Sequence, residues 1–136
     1  MSGQTIINWI TGLIGAFITF AFGHWTEPLT FLLTIIAIDI ISGMYASMRE
    51  GSGLNSAVGT VGLAKKGLML LVILLGYRVD VLLGSEMIMG GAIYFYIANE
   101  LVSVTENCGR IGLPIPNKLR QVIAVLKQKG EEEEEV

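Results

Sequence analysis

The sequence predicts an all-α integral membrane protein with four transmembrane helices, arranged as two antiparallel hairpins and followed by a short C-terminal amphipathic helix. Three observations predict this fold. Hydrophobic residues make up 52% of the 136 residues and charged residues only 15%, whereas soluble domains carry charge on about a quarter of their residues. Four apolar stretches have the length of a membrane-spanning helix. Lysine and arginine are concentrated in two of the regions outside these stretches.

The four predicted spans are residues 6–23, 29–47, 67–84 and 87–104, within a helical bundle of residues 1–107. A hydrocarbon core of about 30 Å needs roughly 17–25 helical residues. The connections after the first and third spans are short and polar, which favours antiparallel neighbours. The connection at 48–66 is longer and rich in glycine. Two hairpins joined by this loop are therefore expected.

The positions of the basic residues predict the orientation. The loop 48–66 contains Arg49, Lys65 and Lys66, and five more bases follow the last span, whereas the two short turns contain no lysine or arginine. Basic loops stay on the cytoplasmic side, so both termini and the loop are expected in the cytoplasm. We expect the first segment to be retained in the mature chain, because Met1–Thr5 lacks the basic residues of a secretory signal. A three-span alternative, with 6–23 lying in the interface, would place the N-terminus outside.

The formal charge of −3 does not describe the whole chain. Five of the twelve acids form the run Glu131–Glu135, and without them seven acids face nine bases. Such a run is typical of a solvated tail, so residues 130–136 are predicted to be disordered.

Catalytic chemistry is not expected from this sequence. Cys108 and His24 are the only residues of their types, so one chain cannot supply a disulfide, a cluster of histidine and cysteine ligands or a serine–histidine–aspartate triad. The glycine and lysine spacing before Lys66 does not match a phosphate-binding loop. We therefore expect no enzyme activity, no cofactor or metal, and no nucleic-acid partner.

The ionisable residues inside the spans are the strongest candidates for function. They are Asp39 in the second span, Arg78 and Asp80 in the third, and Glu100 beside Asn99 in the fourth. A charge at the centre of a spanning helix costs about 2.5–3.5 kcal/mol. Such residues either neutralise one another between helices or line a polar route or a subunit interface.

Helix geometry predicts which of these charges meet. At 1.5 Å per residue, Asp39 lies about 12 Å and Arg78 about 16 Å from the cytoplasmic ends of their spans. These two residues are therefore expected to pair. Glu100, about 6 Å from its cytoplasmic end, is nearer the level of Lys65 and Lys66. Asp80 is expected to face another side and to reach towards the outer surface.

Small and polar residues share faces of three spans, which suits close helix contacts. In the second span Ser42, Gly43 and Ala46 share a face with Asp39. A face of the first span either packs against neighbours or lines water, and a face of the fourth is expected at an oligomer interface. The members are Asn8, Thr11, Gly12, Gly15 and Thr19 in the first span, and Asn99, Ser103 and Glu106 in the fourth.

Residues 108–129 are predicted to form a cytoplasmic amphipathic segment. The sequence Leu113-Pro114-Ile115-Pro116 breaks the preceding helix, and an apolar stripe at helical spacing follows. This helix either lies on an anionic membrane surface or packs on the middle loop or a neighbouring subunit. The bases expected at the membrane surface are Lys65, Lys66, Lys118, Arg120, Lys127 and Lys129.

Three blocks of this sequence resemble the phage lysis and toxin-secretion holins of mainly Gram-positive systems. One is Asp39-Ile40-Ile41-Ser42-Gly43, and another combines Asn55-Ser56 with Gly59, Gly62 and Lys65-Lys66. The most specific runs from Asn99 to Asn107 and continues through the glycines at 109 and 112 to Pro114-Ile115-Pro116. The likeness covers roughly residues 20–126, so the first segment and the acidic tail lie largely outside it.

The resemblance implies a homo-oligomer in the bacterial cytoplasmic membrane. It implies a timed lesion through which an endolysin or a toxin leaves, causing host cell lysis or protein export. The residues themselves leave open a small oligomeric ion or proton channel, or a transporter component, with Asp39 and Glu100 as a relay. An inert membrane scaffold is a third possibility. The size of the leak discriminates between the three.

Overall fold

The computed structural model describes residues 1–51 and 56–135, without the side chains of 56–58, and this part of the chain is helical with no strand. Five helices follow one another: α1 (Gly3–Phe22), α2 (Glu27–Arg49), α3 (Ser56–Leu83), α4 (Met87–Ile111) and α5 (Asn117–Glu134). Asn55, which belongs to the motif block that ends in Lys65-Lys66, lies outside the described residues. The all-α prediction is confirmed.

The turn between α1 and α2 is short, as predicted for the polar connection after the first span. Helix α1 ends at Gly23, whose φ of 69° is readily adopted only by glycine. Pro28 lies in the first turn of α2, where its missing N–H has no helical partner to lose. The Trp25 indole donates a 2.6 Å hydrogen bond to Thr30 Oγ1, which ties the turn to the new helix.

Helix α4 is the centre of the bundle, because it packs against α2, α3 and α5, while α1 packs against α3. The buried core lies mainly between α2, α3 and α4, and its fully buried members are Leu29, Leu32, Ile73 and Ile97. Gly76 lets α3 and α4 approach closely: a Cβ at this position would lie 3.4 Å from the Cα of Met89. Helices α3 and α4, joined by the second short turn, pack against each other.

The first predicted hairpin is not confirmed, because α1 packs mainly on α3. A Cβ added at Gly23 would lie 2.8 Å from the ring of Tyr77, so the end of α1 is held against α3. Elsewhere α1 is nearly free of the bundle, since Ala21 is its only buried residue. The apolar side chains of α1 therefore need lipid or another chain to cover them.

Within the described residues, three helices are long and apolar enough to cross a membrane: α1, α2 and α4. Helix α3 is not among them, and it carries Lys65, Lys66, Arg78 and Asp80. The predicted arrangement of four spans is therefore supported only in part. Large apolar side chains also cover the outer surfaces of α1, α2 and α3, as expected of a membrane protein.

Helix α5 differs from its prediction in two respects. It packs along α4 of its own chain, where the sequence left open a membrane surface, the middle loop or another subunit. It also continues to Glu134, although residues 130–136 were predicted to be disordered. Gly130 is buried against Tyr94 and Ala98 of α4, so the last turns of α5 are in contact with α4.

Candidate functional site

A buried cluster of three charges joins the three helices of the core. The Lys66 ammonium on α3 lies 2.6 Å from Asp39 Oδ2 on α2 and 2.6 Å from Glu100 Oε2 on α4. The side chains of Asp39 and Glu100 are 9% and 7% exposed, and that of Lys66 is 17% exposed. One lysine therefore bridges two carboxylates that would otherwise be buried without a counter-ion.

The partner of Asp39 is not the predicted one. Arg78 was expected to pair with Asp39, and this prediction was wrong because α3 begins at Ser56 and carries Lys66 into the bundle. Lys66 was predicted to lie in the loop 48–66, just before a span beginning at residue 67. The expectation that Glu100 lies near the level of Lys66 is confirmed by their contact.

Asn107, which was not among the predicted site residues, donates a further hydrogen bond to Asp39. Its amide Nδ2 lies 2.8 Å from Asp39 Oδ1 and 3.1 Å from Ser42 Oγ, and the residue is 6% exposed. A Cβ at Gly43 would lie 3.4 Å from this amide, so the small residue leaves room for it. The sequence signal that could have identified Asn107 is the motif of residues 99–107, in which Asn107 follows Glu100 by two helical turns.

The polar network continues from Asn107 to the ends of α2 and α4. Arg110 Nη1 donates to Asn107 Oδ1 at 3.3 Å. The same guanidinium binds both carboxylate oxygens of Glu50, at 2.9 and 2.7 Å. The hydrogen bond from Arg110 holds the pKa of the exposed Glu50 carboxyl below its ordinary value. Arg49 Nη1 also donates to the carbonyl of Ile111 at 2.8 Å, so basic residues tie the two helix ends together.

Asp80 has a structural partner that its sequence position did not suggest. Its carboxylate accepts from the backbone N–H groups of Ile88 at 3.0 Å and Met89 at 2.8 Å, and from the Ser85 hydroxyl. These amides belong to the first turn of α4, where N–H groups lack helical partners and attract negative charge. Asp80 is 4% exposed. It therefore caps α4 across the turn instead of reaching for the outer surface.

Arg78 lies near the same end of the bundle, on the outside. Its guanidinium carbon is 4.8 Å from the centre of the Phe20 ring of α1 and 5.9 Å from that of Tyr77. Stacking on an aromatic face stabilises a cation without an acidic partner. Arg78 is thus a contact between α3 and α1 and not a member of the buried cluster.

The remaining predicted residues are not gathered into the cluster. On α4, Asn99 and Glu106 are exposed and Ser103 is half-buried, because the buried face of this helix runs through Ile97, Glu100 and Asn107 instead. The small and polar face of α1 is exposed, with its members Asn8, Thr11, Gly12, Gly15 and Thr19. Among the predicted surface bases, Lys65, Lys118, Arg120 and Lys129 are exposed, Lys127 is half-buried, and Lys66 lies in the cluster.

The chemistry of the site is electrostatic. In the described part of the chain no three histidine, cysteine or acidic side chains are grouped as metal ligands would be, and no buried side-chain nitrogen or oxygen lacks a hydrogen bond. Breaking a buried ion pair costs several kcal/mol, because it leaves a charge without a partner. The cluster can therefore fix the relative positions of α2, α3 and α4.

Comparison with known proteins identifies related sequences over most of the chain. The model of the bacteriophage holin family matches residues 16–128. This range contains the whole buried cluster and most of α5. It leaves out most of α1, in agreement with the limits of the sequence motifs.

Several curated relatives are similar over nearly their whole length. A 14.9 kDa protein of Clostridium perfringens, named as uncharacterised, is 40% identical over 93% of this chain and 98% of its own. An uncharacterised protein of Halalkalibacterium halodurans is 36% identical over 91% of this chain and 96% of its own. A probable holin of Bacillus phage phi105 is 30% identical over 85% of each chain. No solved structure matches.

Proposed function

Because the chain belongs to the bacteriophage holin family, a family of non-enzymatic membrane proteins, we propose that it forms a lesion in the bacterial cytoplasmic membrane through which a muralytic enzyme or a toxin leaves the cell. The match over residues 16–128 carries this proposal. The probable holin of Bacillus phage phi105, similar over 85% of its length, supports it. Accumulation of the protein to a threshold sets the time of release.

The packing of the charges supports insertion of single subunits. Asp39, Lys66 and Glu100 neutralise one another inside the chain, apart from one net negative charge. The Asp80 carboxylate accepts hydrogen bonds from the backbone N–H groups of the first turn of α4. An unpaired charge in a spanning helix costs about 2.5–3.5 kcal/mol, and these contacts offset much of that cost. The outer surfaces of α1, α2 and α3 remain apolar and suited to lipid.

The proposal includes four spans with both termini in the cytoplasm. The contacts Gly23–Tyr77, Phe20–Arg78 and Asp80–Met89 gather the two short turns at one end of the bundle. The contacts Arg49–Ile111 and Glu50–Arg110 lie at the other end. This distribution fits alternating helices with the basic residues on the cytoplasmic side, and the pairing of Lys66 makes α3 easier to insert.

Cysteine labelling tests this orientation. In a Cys108→Ser chain, single cysteines replace Ser2 and Glu86, which are both exposed. Intact cells are treated with a membrane-impermeant thiol reagent before any lesion opens. Labelling at position 86 and not at position 2 is expected, with broken cells as the control for reactivity. Labelling at position 2 would show that the N-terminus is outside, as in the three-span arrangement.

Assembly follows from the surfaces that the subunit leaves uncovered. The face of α1 with Gly12 and Gly15 has no neighbouring atoms within 4 Å of a Cβ at either position. Small residues allow membrane helices to approach one another closely. A second copy is therefore the expected partner of α1, and the density of chains in the membrane controls how many copies associate.

Release of a cytoplasmic enzyme tests the function directly. The protein is expressed in a bacterium together with a muralytic enzyme that has no export signal. Growth is expected to continue while the protein accumulates, followed by an abrupt loss of membrane potential and lysis of the culture. Either protein alone is the control: the enzyme alone leaves the culture intact, and the membrane protein alone stops growth without wall digestion.

Two outcomes would contradict the proposal. Loss of potential without escape of the enzyme would indicate an ion-sized channel. Continued growth at high membrane expression, with no leak of ions or protein, would indicate a scaffold. The amount of protein in the membrane fraction is measured as a control. A culture that keeps growing counts against the proposal only when the protein has been inserted.

A further inference from the structure

Arg78 is an exposed cation on an otherwise apolar surface of α3. Leu75 and Leu82 precede and follow it by three and four residues, which places them on the same face of the helix. These leucines are 61% and 81% exposed, as suits side chains that contact lipid. Arg78 lies five residues before the end of α3, or about 7.5 Å along the helix axis. Its charge is therefore located among lipid-facing side chains, just below the end of the bundle that holds the two short turns.

The contacts of Arg78 leave its hydrogen-bond donors unused. Its guanidinium carbon is 4.8 Å from the ring centre of Phe20 and 5.9 Å from that of Tyr77. These contacts hold the cation by the π electrons of the rings and supply no hydrogen-bond acceptor. Among the described residues, Arg78 has neither an ion pair nor a hydrogen bond. Its five N–H donors are thus held at the junction of α1 and α3, where they can bind an anion.

The charge of Arg78 has to be balanced when a single subunit enters the membrane. A guanidinium stays protonated at every pH that a protein meets, and a charge surrounded by hydrocarbon is costly. At this end of the bundle, the Asp80 carboxylate is bound to the first turn of α4. Glu27 and Glu86 are exposed at the starts of α2 and α4, and neither forms an ion pair with Arg78. The anions that remain within reach are the phosphates of phospholipid headgroups, towards which arginines near helix ends extend.

We propose that Arg78, together with the rings of Phe20 and Tyr77, binds the phosphate of a phospholipid in the outer leaflet. The planar guanidinium can donate to two phosphate oxygens at once. Because Phe20 belongs to α1 and Arg78 to α3, the bound lipid lies at the contact between these helices and stabilises it. This inference rests on the membrane insertion that the proposed function includes, and not on the opening of a lesion.

Fluorescence quenching by a brominated lipid tests the site in the full chain. With Trp9→Phe, Trp25 is the only tryptophan, and it follows by two residues Gly23, which packs on Tyr77. Phosphatidylglycerol with brominated acyl chains is added to the purified protein in uncharged detergent micelles. Because the phosphate contact is charge-assisted, Arg78→Gln should raise the lipid concentration for half-quenching by roughly tenfold or more. Brominated diacylglycerol, which has no phosphate, should quench both chains equally.

Three further variants show whether the effect is specific. Arg120→Gln is the matched control, because it removes the same charge from an exposed position on α5 and should leave quenching unchanged. Arg78→Lys retains the charge without the planar group and should lose part of the affinity. Phe20→Leu should also weaken quenching, since it removes a ring that holds the guanidinium. Unfolding followed by circular dichroism in lipid-free micelles should give the same midpoint for Arg78→Gln and its parent, as expected for an exposed side chain.

The outcomes identify the anion. Equal quenching of Arg78→Gln and its parent by brominated phosphatidylglycerol would overturn the lipid site. If Arg78→Gln instead converted dimers to monomers in size-exclusion chromatography, the anion would be an acid of a second copy. Quenching that inorganic phosphate prevents as effectively as unbrominated phosphatidylglycerol would show a site for free phosphate, which also overturns the proposal. A chain that binds lipid at Arg78 but releases no enzyme in the co-expression assay would refute the proposed function and leave this site intact.

Discussion

Replacing Lys66 by methionine should destabilise the subunit more than any other single change in the cluster. The ammonium is the bridge between Asp39 and Glu100, at 2.6 Å from each. Methionine retains most of the apolar stem and removes the charge. Two carboxylates with side chains less than 10% exposed are then left facing each other without a cation.

The magnitude follows from the burial of the acids. Removing one partner of a buried ion pair costs about 3–5 kcal/mol, which corresponds to roughly two to four powers of ten in the unfolding equilibrium at 1.36 kcal/mol per tenfold. Protonation of one acid would relieve the repulsion and keep the loss within this range. The effect should thus be larger than that of an exposed pair, which is worth about 0–1 kcal/mol.

Unfolding in mixed detergent micelles, followed by circular dichroism, measures the loss. Lys65→Met is the matched control, because Lys65 is adjacent and exposed. Adding Asp39→Asn and Glu100→Gln to Lys66→Met should restore part of the stability, since no uncompensated charge remains. Equal midpoints for Lys66→Met and Lys65→Met would refute the assignment of Lys66 as the bridge, as would a triple variant less stable than the single one.

Three other substitutions test separate features of the fold and the assembly. Asp80→Ala should cost about 1–3 kcal/mol, because the buried donors at the start of α4 lose their acceptor, whereas Glu86→Ala should be near neutral in the same unfolding assay. Gly76→Leu should cost about 1–3 kcal/mol by overpacking the α3–α4 contact. Gly67→Leu is the control, because a side chain there meets open space. Equal losses of stability in the two variants would contradict a close contact at Gly76. Gly15→Leu should leave unfolding unchanged but delay lysis in the co-expression assay, because it obstructs association of α1; unchanged timing would contradict that role.

The helices could be predicted from the sequence because apolar length and turn residues determine them locally. The spans 29–47 and 87–104 lie within α2 and α4, and Pro28 lies in the first turn of α2. The proximity of Glu100 to Lys66 could also be predicted from the sequence, because it depended only on the depth of each residue along its helix axis. These features depend on residues close in sequence or on a single coordinate.

The errors arose where rotation and helix length mattered. Asp39 and Arg78 were matched by depth alone, but Arg78 points to Phe20 on α1, and depth does not determine the direction in which a side chain points. Asp80 caps α4 through a contact across a turn, which hydropathy does not report. The position of α5 depends on the fit of Gly130 to α4, and a single glycine near an acidic run gives no such signal.

The internal pairing of the charges changes the expected cause of assembly. The sequence left open whether the charges neutralise one another between helices or line a polar route or a subunit interface. In the structure Asp39, Lys66 and Glu100 are satisfied within one chain, so association gains nothing from them. The uncovered surface of each subunit includes instead the face of α1 with Gly12 and Gly15, which is suited to another helix. Assembly that covers this face of α1 therefore leaves the charge cluster intact within each subunit.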